Sequence, residues 1–158
     1  MIDSGITASA SFTPAAAAYG AGDILDVAKE FAFTYGNGSK VRSGALIRVL
    51  TTIIKIDVTV VPSGMTSFSL PLYSVTPPSA QADNDTWTLA SGDLTAYRGT
   101  LALGTPVDLG AALYIKTQQS DLQDIRLVGT SLFGQLVTAG AFTATAVARQ
   151  ISLYGIVL

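Results

Sequence analysis

The stretch ALIRVLTTIIKIDVTVV, Ala45 to Val61, decides the fold. Ile, Val and Thr dominate it, and β-branched side chains fit a pleated, half-buried surface better than a helix. Arg48, Lys55 and Asp57 interrupt the run. It therefore falls short of the roughly 18 uncharged apolar residues that would indicate a membrane-spanning helix. It is also longer than an ordinary strand of about 5–6 residues, which predicts a strand that either bends or is long for a reason of its own. Gly44 opens it and Pro62-Ser63-Gly64 closes it.

The same signals continue on both sides. Downstream, Thr66–Tyr73 places Phe68, Leu70 and Leu72 on one face by period two. Pro71 falls on the other face, which predicts an edge or a bulge. A polar loop from Ser74 to Asp85 follows, and Ser91-Gly92-Asp93-Leu94 makes a short helical turn at most. Arg98–Leu103, Ala111–Lys116, Arg126–Val137, Ala141–Ala148 and Ile151–Val157 read as further strands, several separated by Gly or Pro. Upstream, Ile24–Tyr35 alternates at its end through Phe31, Phe33 and Tyr35, and Gly36-Asn37-Gly38-Ser39 is a loop. No amphipathic helix of a dozen residues and no fixed-period repeat stands out. Many short strands with turn signals between them mean an all-β sandwich or barrel, and about eight of them favour a jelly roll. Residues 1–18 are small and nearly uncharged, and predict an N-terminal arm that either packs on a neighbouring subunit or frays; within it Ser9–Thr13 is a candidate edge strand, and Pro14 with Ala15–Ala18 reads as arm or linker. Residues 19–158 form the single domain.

Composition narrows the chemistry. The 158 residues contain no His, no Cys and one Glu, Glu30. The usual acid–base and thiolate or imidazole metal toolkits are thereby missing, and disulfides are excluded. The nine Lys and Arg are scattered and the formal net charge is -2, so no basic stripe for nucleic acid is expected. The start of the chain has no basic segment ahead of an apolar one, so no signal peptide is expected. The mean hydropathy of +0.46 is high for a small soluble chain. With no membrane helix in prospect, surplus apolar surface buried between subunits of a homo-oligomer is the expectation.

Individual candidates each have a plainer reading. Asp83-Asn84-Asp85 offers oxygen donors that suit calcium, but an Asx-rich turn capping its own backbone accounts for it as well. Trp87 and the tyrosines could stack on sugars, whereas Tyr73, Tyr114 and Tyr154 lie inside apolar strands and suit core or interface packing. Trp87, beside a polar loop, stays open between the two. Ser39-Lys40 sits in a solvated glycine loop, a poor place for a desolvated lysine base. Asp23 with Asp26, and Asp121 with Asp124, are spaced wrongly to share one strand face and read as turn residues. Gly20 with Gly22, and Gly36 with Gly38, lack the spacing and following helix of a phosphate cradle. No catalytic, cofactor-binding or metal-binding residue is assigned, and no enzyme activity is expected.

One set of short motifs occurs in order along the chain: Ala18-Tyr19-Gly20-Ala21-Gly22-Asp23, Gly44-Ala45-Leu46-Ile47, Phe68–Tyr73 with its Pro-containing loop and Asp83-Asn84-Asp85, and Ser152-Leu153-Tyr154-Gly155. Over residues 18–157 this resembles the head decoration (cement) proteins of tailed bacteriophages. The resemblance implies a β-sandwich or jelly-roll virion protein, homotrimeric, bound through the major capsid protein to the capsid exterior and stapling capsomers there. It transfers no site residue. The competing expectation is a receptor- or glycan-binding module of a phage tail or fibre, for which Trp87 is the candidate.

Overall fold

A computed structural model describes residues 4–77 and 79–158. Among them the strands are β1 (Gly5–Phe12), β2 (Ala18–Tyr19), β3 (Ile24–Ala32), β4 (Thr34–Tyr35), β5 (Leu46–Ile56), β6 (Phe68–Tyr73), β7 (Tyr97–Gly104), β8 (Val107–Asp108), β9 (Leu113–Gln118), β10 (Asp124–Arg126), β11 (Ser131–Thr138), β12 (Phe142–Thr143) and β13 (Arg149–Val157). A single 3-10 turn, Ser91–Asp93, falls where the sequence predicts a short helical turn. The protein is all-β. No helix of the described residues is long and apolar enough to cross a membrane.

Two antiparallel sheets face each other. The first runs β4-β1-β13-β5-β9-β8, with β10 also on β5; the second runs β3-β11-β6-β7; β2 and β12 make a small ribbon. Each long strand supplies its inward residues to one shared core. Ile47, Ile54, Ile151 and Leu153 come from the first sheet, and Phe31, Leu70, Leu132 and Leu136 from the second. The predicted Phe68, Leu70, Leu72 face of β6 is buried. Pro71 occupies an interior strand rather than an edge, and the β6–β7 register slips between Pro71 and Tyr73, so the bulge alternative is the one realised.

The predicted bend in the long strand has a definite origin at Leu50. The inward residues of β5 are Ile47 and Val49 on one side of it and Thr52, Ile54 and Ile56 on the other. The alternation changes phase, so one residue is extra. Against β13 the register slips at the same place, Thr51 opposite Tyr154 and Val49 opposite Gly155. On the other flank β9 stops at Gln118 and β10 begins at Asp124, opposite Thr51 and Arg48. The Leu50 carbonyl left by this bulge accepts the Gln119 N–H at 2.9 Å.

Side chains close the sandwich along one seam and packing closes the other. Between β7 and β9 the Thr117 hydroxyl donates to the Leu103 carbonyl at 3.1 Å, and the buried Gln119 amide donates to the Ala102 carbonyl at 2.8 Å and to Thr52. At the opposite seam β1 packs beside β3, with Phe12 and Phe31 ring centroids 6.2 Å apart. Covered seams leave less unpaired strand edge open to pairing with another chain.

In the N-terminal segment the candidate edge strand at Ser9–Thr13 is realised as the longer Gly5–Phe12, so residues 5–12 belong to the domain rather than to an arm. Gly5–Phe12 pairs with β13 along its whole length and buries Ile6, Ala8 and Phe12. Thr13 and Ala15 then donate their N–H groups to Asp26 and Asp83, both at 2.8 Å. Alternation of small inward and outward residues is enough to make a strand when β13 pairs with the whole of it and β4 with Ile6 and Thr7. Residues 1–3, the rest of the expected arm, lie outside the described residues. Ala141–Ala148, expected as a strand, is strand only at Phe142–Thr143.

Candidate interaction surface

The Asp83-Asn84-Asp85 loop is built as an internal latch. Asp83 accepts the Ala15 N–H, the Asp26 N–H at 2.6 Å and the Tyr19 hydroxyl at 2.8 Å. Asn84, in the left-handed region at φ 71°, donates its side-chain amide to the Ala18 carbonyl. Its own N–H and the Asp85 carbonyl pair with both backbone groups of Ile24, and Thr86 makes an isolated antiparallel bridge to Asp23, so the loop is tied to the start of β3. Asp85 caps the Ala82 N–H at 2.8 Å. These oxygens are spent on the chain's own donors, Asp85 on the local Ala82 N–H and Asp83 on groups far away in the sequence, so a local turn capping its own backbone describes only part of the motif. Among the described residues, no three acidic, His or Cys side chains cluster as metal ligands.

Charge explains the strength of the latch. Burial works to raise the Asp83 carboxyl, but the N–H groups of Ala15, Asp26 and Asn84 and the Tyr19 hydroxyl outweigh it and hold the carboxyl below its ordinary value. Burial, then the bond to Asp83, pushes the Tyr19 hydroxyl well above an ordinary phenol. Arg149, 1% exposed, stands behind this pair. It donates to the Thr145 carbonyl at 2.7 Å and to the Val147 carbonyl. Burial depresses it, and the charge of Asp83 offsets part of that cost.

Trp87 also points its polar edge inward. Its indole N–H reaches the Tyr73 hydroxyl at 3.1 Å and the Gln135 side-chain oxygen at 3.0 Å, and the Tyr73 hydroxyl donates to the same oxygen at 3.0 Å. Tyr97 packs against both rings. Burial raises the Tyr73 hydroxyl. The loop after β6 thus folds back over the outer face of the second sheet, and Tyr73, on that outward face of β6, is buried beneath it. Trp87 is half-buried rather than displayed as a platform.

The remaining candidate acids serve locally. Asp23 caps the Gly20 N–H at 2.6 Å and receives the Thr86 hydroxyl. Asp26, held at φ 67°, pairs with Lys29 at 3.1 Å. Asp124 pairs with Arg48 at 2.7 Å, which raises the guanidinium further. Asp121 accepts from Gln123. Ser39 turns its hydroxyl and N–H onto Asn37, and no bond links it to Lys40 among the described residues.

Two surfaces remain open. The first is the outer face of the first sheet. Register aligns Tyr114, Lys55, Gln150 and Ser11 in one row, Lys116, Ile53, Ser152 and Ser9 in the next, and Gln118, Thr51, Tyr154 and Thr7 in a third. Tyr154 is 42% exposed. Tyr114 and Tyr154 therefore belong to an outward face, and only Tyr73 of the three strand tyrosines is in the interior. The apolar look of their strands comes from the inward residues between them. The second surface is one end of the sandwich. Ile56 of β5, Leu113 of β9 and Asp108 of β8 lie side by side there. The chain continues past Ile56 to Val60, 70% exposed, and Val61, and past Asp108 to Leu109, 66% exposed. Singly exposed apolar residues are ordinary, but several on one end mark a contact surface.

No protein-family model matches the chain, and no curated protein matches it.

Proposed function

We propose that this chain is a structural virion protein, a decoration or cement protein that binds the outer capsid surface through the major capsid protein and stabilises capsomers as a homotrimer. The observation that carries the reading is the exposure of Val60, Val61 and Leu109 where the chain runs past Ile56 and Asp108 at one end of the first sheet. Such a face suits docking on another protein, and trimerisation multiplies weak contacts by raising their effective concentration. The tight seams and the Asp83 latch suit a rigid clamp with no chemistry to perform. The jelly-roll form of the reading is supported by the strand order. Taken in chain order, the eight longest strands fall in the sequences 1-8-3-6 and 2-7-4-5 across the two sheets, the wrapping of two Greek keys that capsid and lectin domains share.

A receptor-binding module of a tail or fibre is the second reading, favoured by the hydroxyl-, amide- and tyrosine-bearing rows of the first sheet. Copy number separates the two. Quantitative mass spectrometry of purified particles is expected to give a copy number comparable to that of the major capsid protein. A few copies per particle would move the protein to the tail, and absence would end the virion reading. The docking end has its own test. Burying a Leu or Val side chain contributes about 1.5–3 kcal/mol, so Val60→Asp with Leu109→Asp is expected to weaken binding to capsids at least about tenfold. Thermal stability should change little, because both side chains are exposed.

A further inference from the structure

Between β11 and β13 the chain makes a strap, residues 141–148, that lies outside both sheets and is tied down by the two-residue ribbon of β12 on β2. One further backbone bond extends the tie, from the Ala144 N–H to the Ala17 carbonyl at 2.9 Å. Phe142 and Ala144 are buried, while Ala141, Thr143, Thr145 and Ala146 are exposed. A short ribbon with few buried side chains is where a fold opens first. The end of the strap closes over a charge. Arg149 is 1% exposed and stands between Phe12 of β1 and Ile56 of β5. It donates to the Thr145 and Val147 carbonyls of the strap, but no carboxylate forms an ion pair with it among the described residues. Its Nε is the one buried side-chain nitrogen or oxygen without a hydrogen-bond partner among them. A buried cation met this poorly works against whatever covers it. The negative charge that acts on it is that of Asp83, which lies beyond Tyr19 of β2. Asp83 holds Ala15, Tyr19 and Asp26 and makes no bond to the strap among the described residues.

We propose that residues 141–148 are a lid loaded by the buried Arg149 charge and held shut by the Asp83 carboxylate, able to open while the two sheets stay folded. Opening lets the guanidinium reach water and uncovers Phe142, together with Tyr19 and Phe68 that pack on its ring. The bonds to Thr145 and Val147 suggest the opposite role, a clip that keeps the strap down. The balance of bonds decides against it. In an open strap water replaces both carbonyl bonds, and Nε gains a partner that it lacks in the closed one. The inference does not depend on where in a particle the protein sits.

Hydrogen exchange of the full chain at neutral pH, read by mass spectrometry, tests this. In the parent the strap is expected to exchange at least tenfold faster than β5; equal rates would mean that it opens only with the whole sandwich, and overturn the proposal. Arg149→Met keeps the buried stem and removes the charge, so strap exchange should stay level or slow. Arg149→Lys keeps the charge and loses the planar fork, and should exchange at least fivefold faster than Arg149→Met. Faster exchange in Arg149→Met than in the parent, or no difference between the two variants, overturns the proposal in favour of a clip. A double-mutant cycle isolates the catch. Asp83→Asn is expected to speed the strap at least fivefold in the parent and less than twofold in Arg149→Met. No effect in the parent, or the same effect with and without the arginine, removes Asp83 from the role. The Met and Lys comparison decides the load even if Asp83→Asn fails to fold.

Discussion

Asp83→Ala is expected to lower stability by about 3–4 kcal/mol. A hydrogen bond to a charged group contributes about 1.5–3 kcal/mol. Asp83 receives the Tyr19 hydroxyl and the N–H groups of Ala15 and Asp26. The three contributions do not simply add, and relaxation with water entry keeps the sum in the upper range of single substitutions. For a domain of this size 1 kcal/mol corresponds to roughly 2–4 °C, so the melting temperature should fall by about 10 °C. The Asp26 backbone at φ 67° also loses the bond that holds it there. Asp83→Asn keeps the shape and one acceptor, turns its NH2 toward a backbone donor, and should cost about half as much.

The pH dependence has a fixed sign. The folded Asp83 carboxyl lies below its ordinary value, so its contribution is full above the unfolded value of about 3.9 and is lost as pH falls through the folded one. Denaturation curves recorded from neutral pH down past pH 4 should show a shallower acid loss in Asp83→Asn than in the parent. Tyr19 works at the other end. Its hydroxyl is raised in the fold, so stability is full below about pH 10 and declines as pH rises above it. In Tyr19→Phe that alkaline decline should be reduced. Identical slopes in parent and variants would mean that the latch does not hold the two loops together.

Much of the sandwich was legible because most strands bury one face and show the other. The Phe68, Leu70, Leu72 alternation and the Gly and Pro breaks are local signals, and the folded chain keeps them. Gly5–Phe12 was visible only in part, as a candidate edge strand at Ser9–Thr13. Its inward residues are Ile6, Ala8, Ala10 and Phe12, and its outward ones Thr7, Ser9 and Ser11. The alternation exists, but alanine against serine gives it little contrast, and what makes it a strand is pairing with β13, 143 residues away at the Ser9–Ser152 contact. Which tyrosines are core was hidden for a related reason: an apolar strand with one buried face still has a second face, and Tyr114 and Tyr154 are on it while Tyr73 is buried. The setting of Gln135 leaves no local trace at all. Gln135 sits in the apolar run of β11, and its bond to Trp87 depends on a loop that starts some sixty residues earlier and returns over it.

Gly155→Ala carries the other large expected effect, because it tests the bulge on which the first sheet turns. Gly155 faces the extra residue of β5, and a Cβ there would lie 2.3 Å from the Arg48 carbonyl oxygen and 3.2 Å from the Val49 Cα. Those are backbone atoms of a central strand, so no flexible side chain can move aside. β13 is itself held between β1 and β5, which removes the alternative of shifting the strand outward. Relief has to come from breaking the ladder at the point where Leu50 is already unpaired with β13. The expected cost is about 3–5 kcal/mol, at the top of the range for one substitution, and a fall of at least about 10 °C in melting temperature. The same added methyl at Gly38, which has nothing within 4 Å but a positive φ of 83°, should cost only about 1 kcal/mol, from backbone conformation alone. If the two variants melted together, close backbone approach at the bulge would not be what requires glycine at position 155. A large gap between them ties the bend of β5, and with it the wrapping of the first sheet over the core, to a single missing Cβ.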